Sequence, residues 1–311
     1  MSDLSRWPAL VLTAGLGTRL QPLSTVRAKA ALPVAGEALV LRILRSLRAA
    51  GISRVVLNLH HRADTITREV GDGSALGLSV RYSWETAVLG SAGGPARALP
   101  LLEADRFLIV NGDTLANVDL DALATQHVDT AALVTMAVVD ADPRYNAILA
   151  DEHGIVSGFR KSTPDAFETT GRCHFIGVQA ANAAAFAGVS PDAPSETVHG
   201  RYPALIAQRH GSLRVMRTTA EFFDIGTPRD YLDTALTLSA REGRRPDRGE
   251  GCEVADDAML TETILWNHVR IGAAASLTRC VVADGVTVPA GSRHVECSLV
   301  MRDNELVVSR F

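Results

Sequence analysis

At 311 residues, with 47% hydrophobic and 21% charged residues, the chain has room for a full α/β core and an appended module. A net charge of −4 and a pI near 6.1 exclude a broad basic field, and with it a nucleic-acid-binding surface. The N-terminal MSDLSRWP has no apolar signal region, no apolar run reaches membrane-spanning length, and Cys173, Cys252, Cys280 and Cys297 lack C-x-x-C spacing; a cytoplasmic chain with no membrane partner, zinc site or disulfide framework is expected.

Residues 9–13 predict a strand apolar enough to be buried on both faces. A glycine-rich turn follows at once, Ala14-Gly15-Leu16-Gly17-Thr18-Arg19. Glycines let such a turn take φ > 0 and bring its N–H groups close to a ligand. Arg19 adds a guanidinium fork suited to phosphate oxygens, and Arg27 and Lys29 follow on either side of Ala28. These features describe a nucleoside triphosphate site. Two common phosphate motifs do not match it. A P-loop needs a Gly-Lys pair, and none occurs here. A dinucleotide fingerprint needs glycine where Leu20 stands, and the next strand ends at Asn58, not at an acidic residue.

Residues 39–47 repeat apolar side chains at helical spacing and stop at Gly51. A strand over 55–59 ends in His60-His61, expected as a polar loop pair. A helix over 63–70 and a strand over 79–83 continue the alternation, which implies a parallel sheet with helices on both faces. Ligands on such sheets sit at the C-terminal ends of the strands. The segment Glu85-Thr86-Ala87-Val88-Leu89-Gly90-Ser91-Ala92-Gly93-Gly94 comes next. The strand over 107–110 then ends in Asn111-Gly112-Asp113, which sets a carboxylate at a strand tip, suited to Mg²⁺ on nucleotide phosphates. A strand over 131–139 and a hairpin around Glu152-His153-Gly154 lead to Gly158-Phe159-Arg160-Lys161-Ser162.

A strand over 173–178 holds His174, expected to be a packed or surface imidazole and not a base, and Gly177. Beyond it, Gly226 permits a sharp turn, Thr227 caps a helix and Pro228 occupies its first position. Capping does not account for Asp224, which is the second candidate metal ligand. Residues 241–250 (REGRRPDRGE) predict a charged linker between residues 8–240 and 251–311. In the last span Val254, Ile271 and Val288 recur at a spacing of 17, with Leu260, Leu265, Leu277 and Val282 between them. That is the pattern of a hexapeptide β-helix with one shortened face per coil. The longer step from Val288 to Val295 predicts a bulge near Arg293-His294. His268 within the repeats raises an acyltransferase alternative, but about three coils are too few for that groove and the glycine-rich turn would be unexplained. The repeats are therefore expected to be structural or to join copies into a homo-oligomer.

The stretch Gly15-Leu16-Gly17-Thr18-Arg19-Leu20-Gln21-Pro22-Leu23-Ser24, with Lys29 and Pro33-Val34, resembles the signature of the sugar-1-phosphate nucleotidylyltransferases; Ala28 replaces the usual proline before the lysine. Phe223-Asp224-Ile225-Gly226-Thr227-Pro228 resembles a second segment of that family, with Phe222 in place of tryptophan. The resemblance implies a Rossmann-like, mixed but mostly parallel sheet of the glycosyltransferase-A-like kind, followed by a short left-handed parallel β-helix. It implies transfer of a nucleoside monophosphate from an NTP to a sugar 1-phosphate, with release of pyrophosphate. Arg19, Lys29 and Asp113 would be catalytic. Ala14, Gly15, Gly17, Thr18, Glu85, Gly90 and Ser91 would bind the nucleotide. Lys161 and Gly177 would bind the sugar phosphate, and Asp113 and Asp224 would hold Mg²⁺. Arg160 and Ser162 depart from the family's Glu and Pro beside that lysine. Glu85 suggests GTP, because a carboxylate can accept both guanine N1–H and N2–H₂ while uracil offers one N3–H between two carbonyls. Mannose 1-phosphate is the expected sugar, with glucose, heptose and amino-sugar phosphates as alternatives. UTP or dTTP use, or a non-catalytic nucleotide-sugar-binding regulatory paralogue, remain the alternative functions.

Overall fold

The computed structural model describes residues 4–142, 144–161 and 171–311. Ser162 lies outside the described residues. The chain forms two compact units, and neither is continuous in sequence. The first takes Met1–Gly15, Ile43–His60 and Gly71–Phe223; the second takes Leu16–Arg42, His61–Val70 and Asp224–Phe311. Within the span 8–240, the glycine-rich loop from Leu16 onward and the helix Ala63–Val70 thus fall in the unit that carries the repeats.

The first unit is built on a nine-stranded mixed sheet. Ala9–Leu12 lies at its centre, parallel to Arg54–Leu59 on one side and to Arg106–Asn111 on the other. Ser79–Trp84 extends the parallel part beyond Arg54–Leu59. Strands buried on both faces read as unbroken apolar runs, and Ala9, Leu10 and Val11 are fully buried. On the other side Arg172–Asn182 runs antiparallel to Arg106–Asn111 and also pairs with Val134–Asp140 and Ala147–Ala150. Its pairing with Val134–Asp140 shifts register between Phe175 and Gln179, around Gly177 at φ 82°. Leu10, Phe107, Ile109, Met136, Phe186 and Tyr202 share one apolar core. The expected hairpin is present, Ala147–Ala150 against Val156–Arg160. His127, buried in the same unit, has both ring nitrogens engaged, with Asn182 Oδ1 at 3.0 Å and Thr135 Oγ1 at 2.9 Å. The amide oxygen of Asn182 can only accept, so Nε2 carries the proton and Nδ1 accepts from the threonine.

The second unit contains the helix Pro228–Arg241, opened by a capping box in which Thr227 and Asp230 satisfy each other's backbone N–H groups. It also contains a parallel β-helix of three coils. Glu253–Val254, Arg270–Ile271 and Thr287–Val288 form one face, and Met259–Thr261, Ser276–Thr278 and Arg293–Val295 the second. Ile264–Leu265, Val281–Val282 and Cys297–Arg302 form the third. The 17-residue register begins inside the expected linker, where Arg248 bridges Leu265 and Glu250 N–H donates to Asn267 Oδ1 at 3.2 Å. No bulge interrupts the third coil. His294, not Val295, pairs with Leu277, and Val295 is 58% exposed. In-register parallel pairing fixes this position, and the ring of His294 is tolerated at the end of the stack. Burial lowers its pKa, and Nε2 has no hydrogen-bond partner among the described residues. The antiparallel strand Glu305–Arg310 closes the solenoid against Cys297–Arg302.

Candidate active site

In the first unit, three adjacent parallel strands end in polar residues that join one another. Thr13 N–H donates to Asn58 Oδ1 at 2.6 Å, and Thr13 Oγ1 donates to Asn58 O at 2.5 Å. Asn58 Nδ2 donates to Glu85 Oε1 at 2.8 Å, and Glu85 Oε2 accepts from Leu89 N–H at 2.9 Å. Asn58 and Glu85 are only 4% and 5% exposed. A buried carboxylate needs such partners to offset its lost hydration. Glu85 is therefore engaged internally: one oxygen orients Asn58 and the other fixes the turn before Gly90. The expected contact between Glu85 and the N1–H and N2–H₂ edge of guanine gives way to a scaffold role, because the strand end turns its side chain inward. His60 Nδ1 adds a bond to Glu85 O at 3.0 Å.

The helix Gly90–Leu102 begins on this scaffold. A Cβ on Gly94 would lie 2.9 Å from Asn58 Nδ2, so only glycine lets the helix approach. The orphan N–H groups of its first turn are taken by one segment. Ser91 N–H donates to Glu196 Oε2 at 3.4 Å, and Ala92 and Gly93 N–H donate to Ser195 O. Ser91 Oγ donates to Glu196 Oε2 at 2.6 Å, so this hydroxyl is held by the cap. Gly90 itself is at φ 76° against Ser195 and Glu196.

At the next strand end Gly112 packs on the central strand, where a Cβ would come within 2.6 Å of Leu12 O. Asp113 follows, half-buried, and accepts from Thr114 Oγ1 at 3.1 Å. Gly177 faces the same place: a Cβ there would be 3.1 Å from Thr114 Cβ and 3.2 Å from Asn111 Cβ. Gly177 and the Asp113 turn are thus brought together. Lys161 is exposed, immediately after the strand Val156–Arg160. His174 is half-buried and stacked on Tyr145, with ring centroids 4.0 Å apart.

The other candidates begin at the end of the first unit's opening segment and continue in the second unit. Ala14 is buried and Gly15 exposed at the end of the first unit's segment, and a Cβ on Gly15 would meet nothing within 4 Å. Gly17 adopts φ 61° and ψ 35°, and its carbonyl accepts from Ser24 Oγ at 2.8 Å. A Cβ on Gly17 would lie 3.0 Å from Ser24 Cβ and 3.7 Å from Lys29 Cβ, which places Lys29 beside the turn. Thr18 and Arg19 are exposed. The Arg19 guanidinium lies by Gly226, where an added Cβ would be 3.2 Å from Nη1. Gly226 is two residues beyond Asp224, which is half-buried. Arg19 thus lies beside the Gly226 turn, two residues from Asp224 in sequence, and Lys29 beside the Gly17 turn.

Ala28 compensates for the missing proline. Its φ of −56° is the value proline would impose, and its N–H donates to Thr65 Oγ1 at 3.0 Å. His61 Nε2 donates to Ser24 O at 2.8 Å, so His61 also fastens the loop. Thr65 and Glu196 were not singled out from sequence, and no hydrogen-bonding role was assigned to Ser24 or Asn58. Asn58 alone carried a signal, as an amide closing an otherwise apolar strand.

No group of three or more His, Cys, Asp or Glu able to hold a metal occurs among the described residues. A nucleotide-bound Mg²⁺ needs only one or two carboxylates, the rest of its shell being phosphate and water. Asp113, in the first unit, and Asp224, in the second, are each an oxygen donor whose chemistry suits such an ion. No helix among the described residues is long and apolar enough to cross a membrane.

The fold and these strand-end motifs define a nucleotidyltransferase with an appended β-helix. A family profile described as nucleotidyl transferase matches residues 8–241, and the chain belongs to that family. It is 31% identical over 298 residues to "Mannose-1-phosphate guanylyltransferase" of Mycobacterium tuberculosis, covering 91% of this chain and 81% of that protein. It is 44% identical over 115 residues to "N-acetylmuramate alpha-1-phosphate uridylyltransferase" of Neisseria meningitidis, covering 37% of this chain and 50% of that one. Among solved structures, HddC from Yersinia pseudotuberculosis complexed with GMP-PN superposes with a TM-score of 0.63 at 24% identity, over 75% of this chain and 99% of that one. That likeness establishes the shared fold.

Proposed function

We propose that the protein transfers a nucleoside monophosphate, preferably GMP from GTP, to a sugar 1-phosphate, preferably mannose 1-phosphate. The products are pyrophosphate and an NDP-sugar. The observation that supports this most is the exposed loop from Gly15 to Arg19, open above Gly15, with Arg19 beside Gly226 and Lys29 beside Gly17. The guanine and mannose preferences rest on the relative that aligns with 91% of the chain. UTP is the second candidate nucleotide, because the uridylyltransferase relative reaches 44% identity over its shorter match.

The nucleophile is a phosphate oxygen of the sugar 1-phosphate, already ionised at neutral pH, so no general base is required. It forms a new bond to the α-phosphorus while the bond from that phosphorus to the bridging β-oxygen breaks, and the electron pair leaves with pyrophosphate. Catalysis is then positioning and charge neutralisation. Arg19 and the loop N–H groups would hold the leaving phosphates. Lys29 would approach the α-phosphate, and Lys161 would orient the sugar phosphate near Gly177. Mg²⁺, held by Asp113 and Asp224, would neutralise triphosphate charge when bound. A pyrophosphate-release assay across GTP, UTP, dTTP and ATP with a panel of sugar 1-phosphates tests the proposal. Turnover is expected to be highest with GTP and mannose 1-phosphate. Release with no pair would favour a regulatory paralogue, and preference for UTP would favour the second candidate.

A further inference from the structure

Within the second unit, the segment that carries Lys29 is tied to the β-helix at both ends. Arg27 Nε donates to Asp284 Oδ2 and Arg27 Nη2 to Asp284 Oδ1, each at 2.7 Å. This is the two-pronged geometry that makes an arginine–carboxylate pair both strong and directional. The guanidinium also lies over the Trp266 ring, 5.3 Å from its centroid. Asp284 is itself held by the solenoid: its Oδ1 accepts from Asn267 N–H, one coil earlier, at 3.0 Å. At the other end, Pro33 O accepts from Tyr231 Oη at 2.6 Å, and Tyr231 Oη accepts from Trp266 Nε1 at 3.0 Å. Trp266 is 1% exposed, so both tethers converge on one rigid side chain of the β-helix. Between them lie Ala28, fixed through Thr65, and Lys29. The short helix Leu23–Thr25 packs on the last long strand of the solenoid, Cys297–Arg302.

We infer that the β-helix is a positioning element for the reaction, with Arg27 and Asp284 as positioning residues that set the path of residues 27–33 and hence the place of Lys29. This rests on the nucleotidyl-transfer reading above for the role of Lys29. The sequence pattern alone gave the module only a structural or oligomeric role. A simple surface ion pair would do little, since exposed pairs contribute almost nothing. Here the arginine side chain is 13% exposed, and it is stacked as well as paired. Displacing a charged side chain by about 1 Å can lower turnover by about 100-fold.

The test uses the full-length protein with Arg27→Lys, Asp284→Asn and the double variant. Arg270→Ala serves as control, because exposed Arg270 pairs with exposed Glu253 on another face of the same solenoid. The expected result is a fall in kcat of about tenfold or more in each single variant, with KM for the NTP changed less than about threefold. The double variant should be no worse than the worse single one, because both break the same contact. Arg270→Ala should match the wild type. Hydrogen–deuterium exchange over residues 26–34 gives a readout independent of turnover, and it should quicken in Asp284→Asn. Wild-type kcat in folded variants, additive losses, or unchanged exchange in this segment would each overturn the inference. A wild type inactive on every substrate pair would instead overturn the assigned reaction, and the exchange result would still decide whether Asp284 holds the loop.

Discussion

Replacing Glu85 with Gln tests whether this side chain reads the nucleobase or builds the strand-end scaffold. The substitution keeps the shape and leaves one oxygen where two now accept. Asn58 cannot adapt by turning its amide, because its Oδ1 already accepts from Thr13 N–H at 2.6 Å. The new NH₂ must therefore face a donor, either Asn58 Nδ2 or Leu89 N–H. One charge-assisted bond is lost at a site 5% exposed and two donors are opposed, which costs about 2–3 kcal/mol. At about 2–4 °C per kcal/mol for a large domain, the thermal midpoint should fall by roughly 4–12 °C. Affinity should weaken for every nucleotide together, because the turn before Gly90 loosens whichever base it faces. The assay is thermal unfolding beside kcat/KM for GTP and UTP. A variant as stable as the wild type whose preference moves from GTP toward UTP would refute the scaffold role and restore a direct contact with the base.

Ala28→Pro should change stability by less than about 1 kcal/mol, since φ is already −56° and the gain from a stiffer unfolded chain offsets the lost bond to Thr65; a loss above about 2 kcal/mol in denaturant unfolding would contradict that balance. Gly177→Ala should destabilise by about 1–3 kcal/mol and slow turnover, because φ is 82° and the added Cβ presses on Asn111 and Thr114 beside Asp113; an unchanged melting midpoint would count against it. Asp113→Asn and Asp224→Asn should each lower turnover by about 100-fold or more without unfolding, and a chelator should abolish wild-type activity; near-normal rates in either variant at saturating Mg²⁺ would exclude that residue as a ligand. Burial holds the pKa of His127 below its ordinary 6.5, outweighing the bond to Asn182. The unfolded chain therefore takes up the proton first as pH falls, so stability should decline below about pH 6.5, with a shallower slope in His127→Gln; parallel slopes would show that His127 does not contribute.

Much of the candidate site was legible in the sequence because the chemistry proposed for it is local. The Gly15–Arg19 turn, Lys29, the Asn111-Gly112-Asp113 tip and the Asp224 turn each declare themselves within a few residues; Asn111 and Asp224 end strands, while Thr18, Arg19 and Lys29 lie in short 3-10 turns. The 17-residue spacing likewise specified the solenoid, because every coil must repeat the same inward positions. What the sequence could not specify is which distant groups share a side chain's hydrogen bonds. Glu85 looked like a base reader until Asn58, 27 residues earlier, was found on its other oxygen. Val295 looked inward-facing, but pairing with the preceding coil put His294 there instead. Arg27 looked like one more phosphate cation until Asp284, 257 residues away, was seen to take both prongs of its guanidinium. Local pattern determines backbone shape and residue type along the chain, whereas long-range pairing decides which polar groups remain for a ligand, and only the tertiary structure brings those partners together.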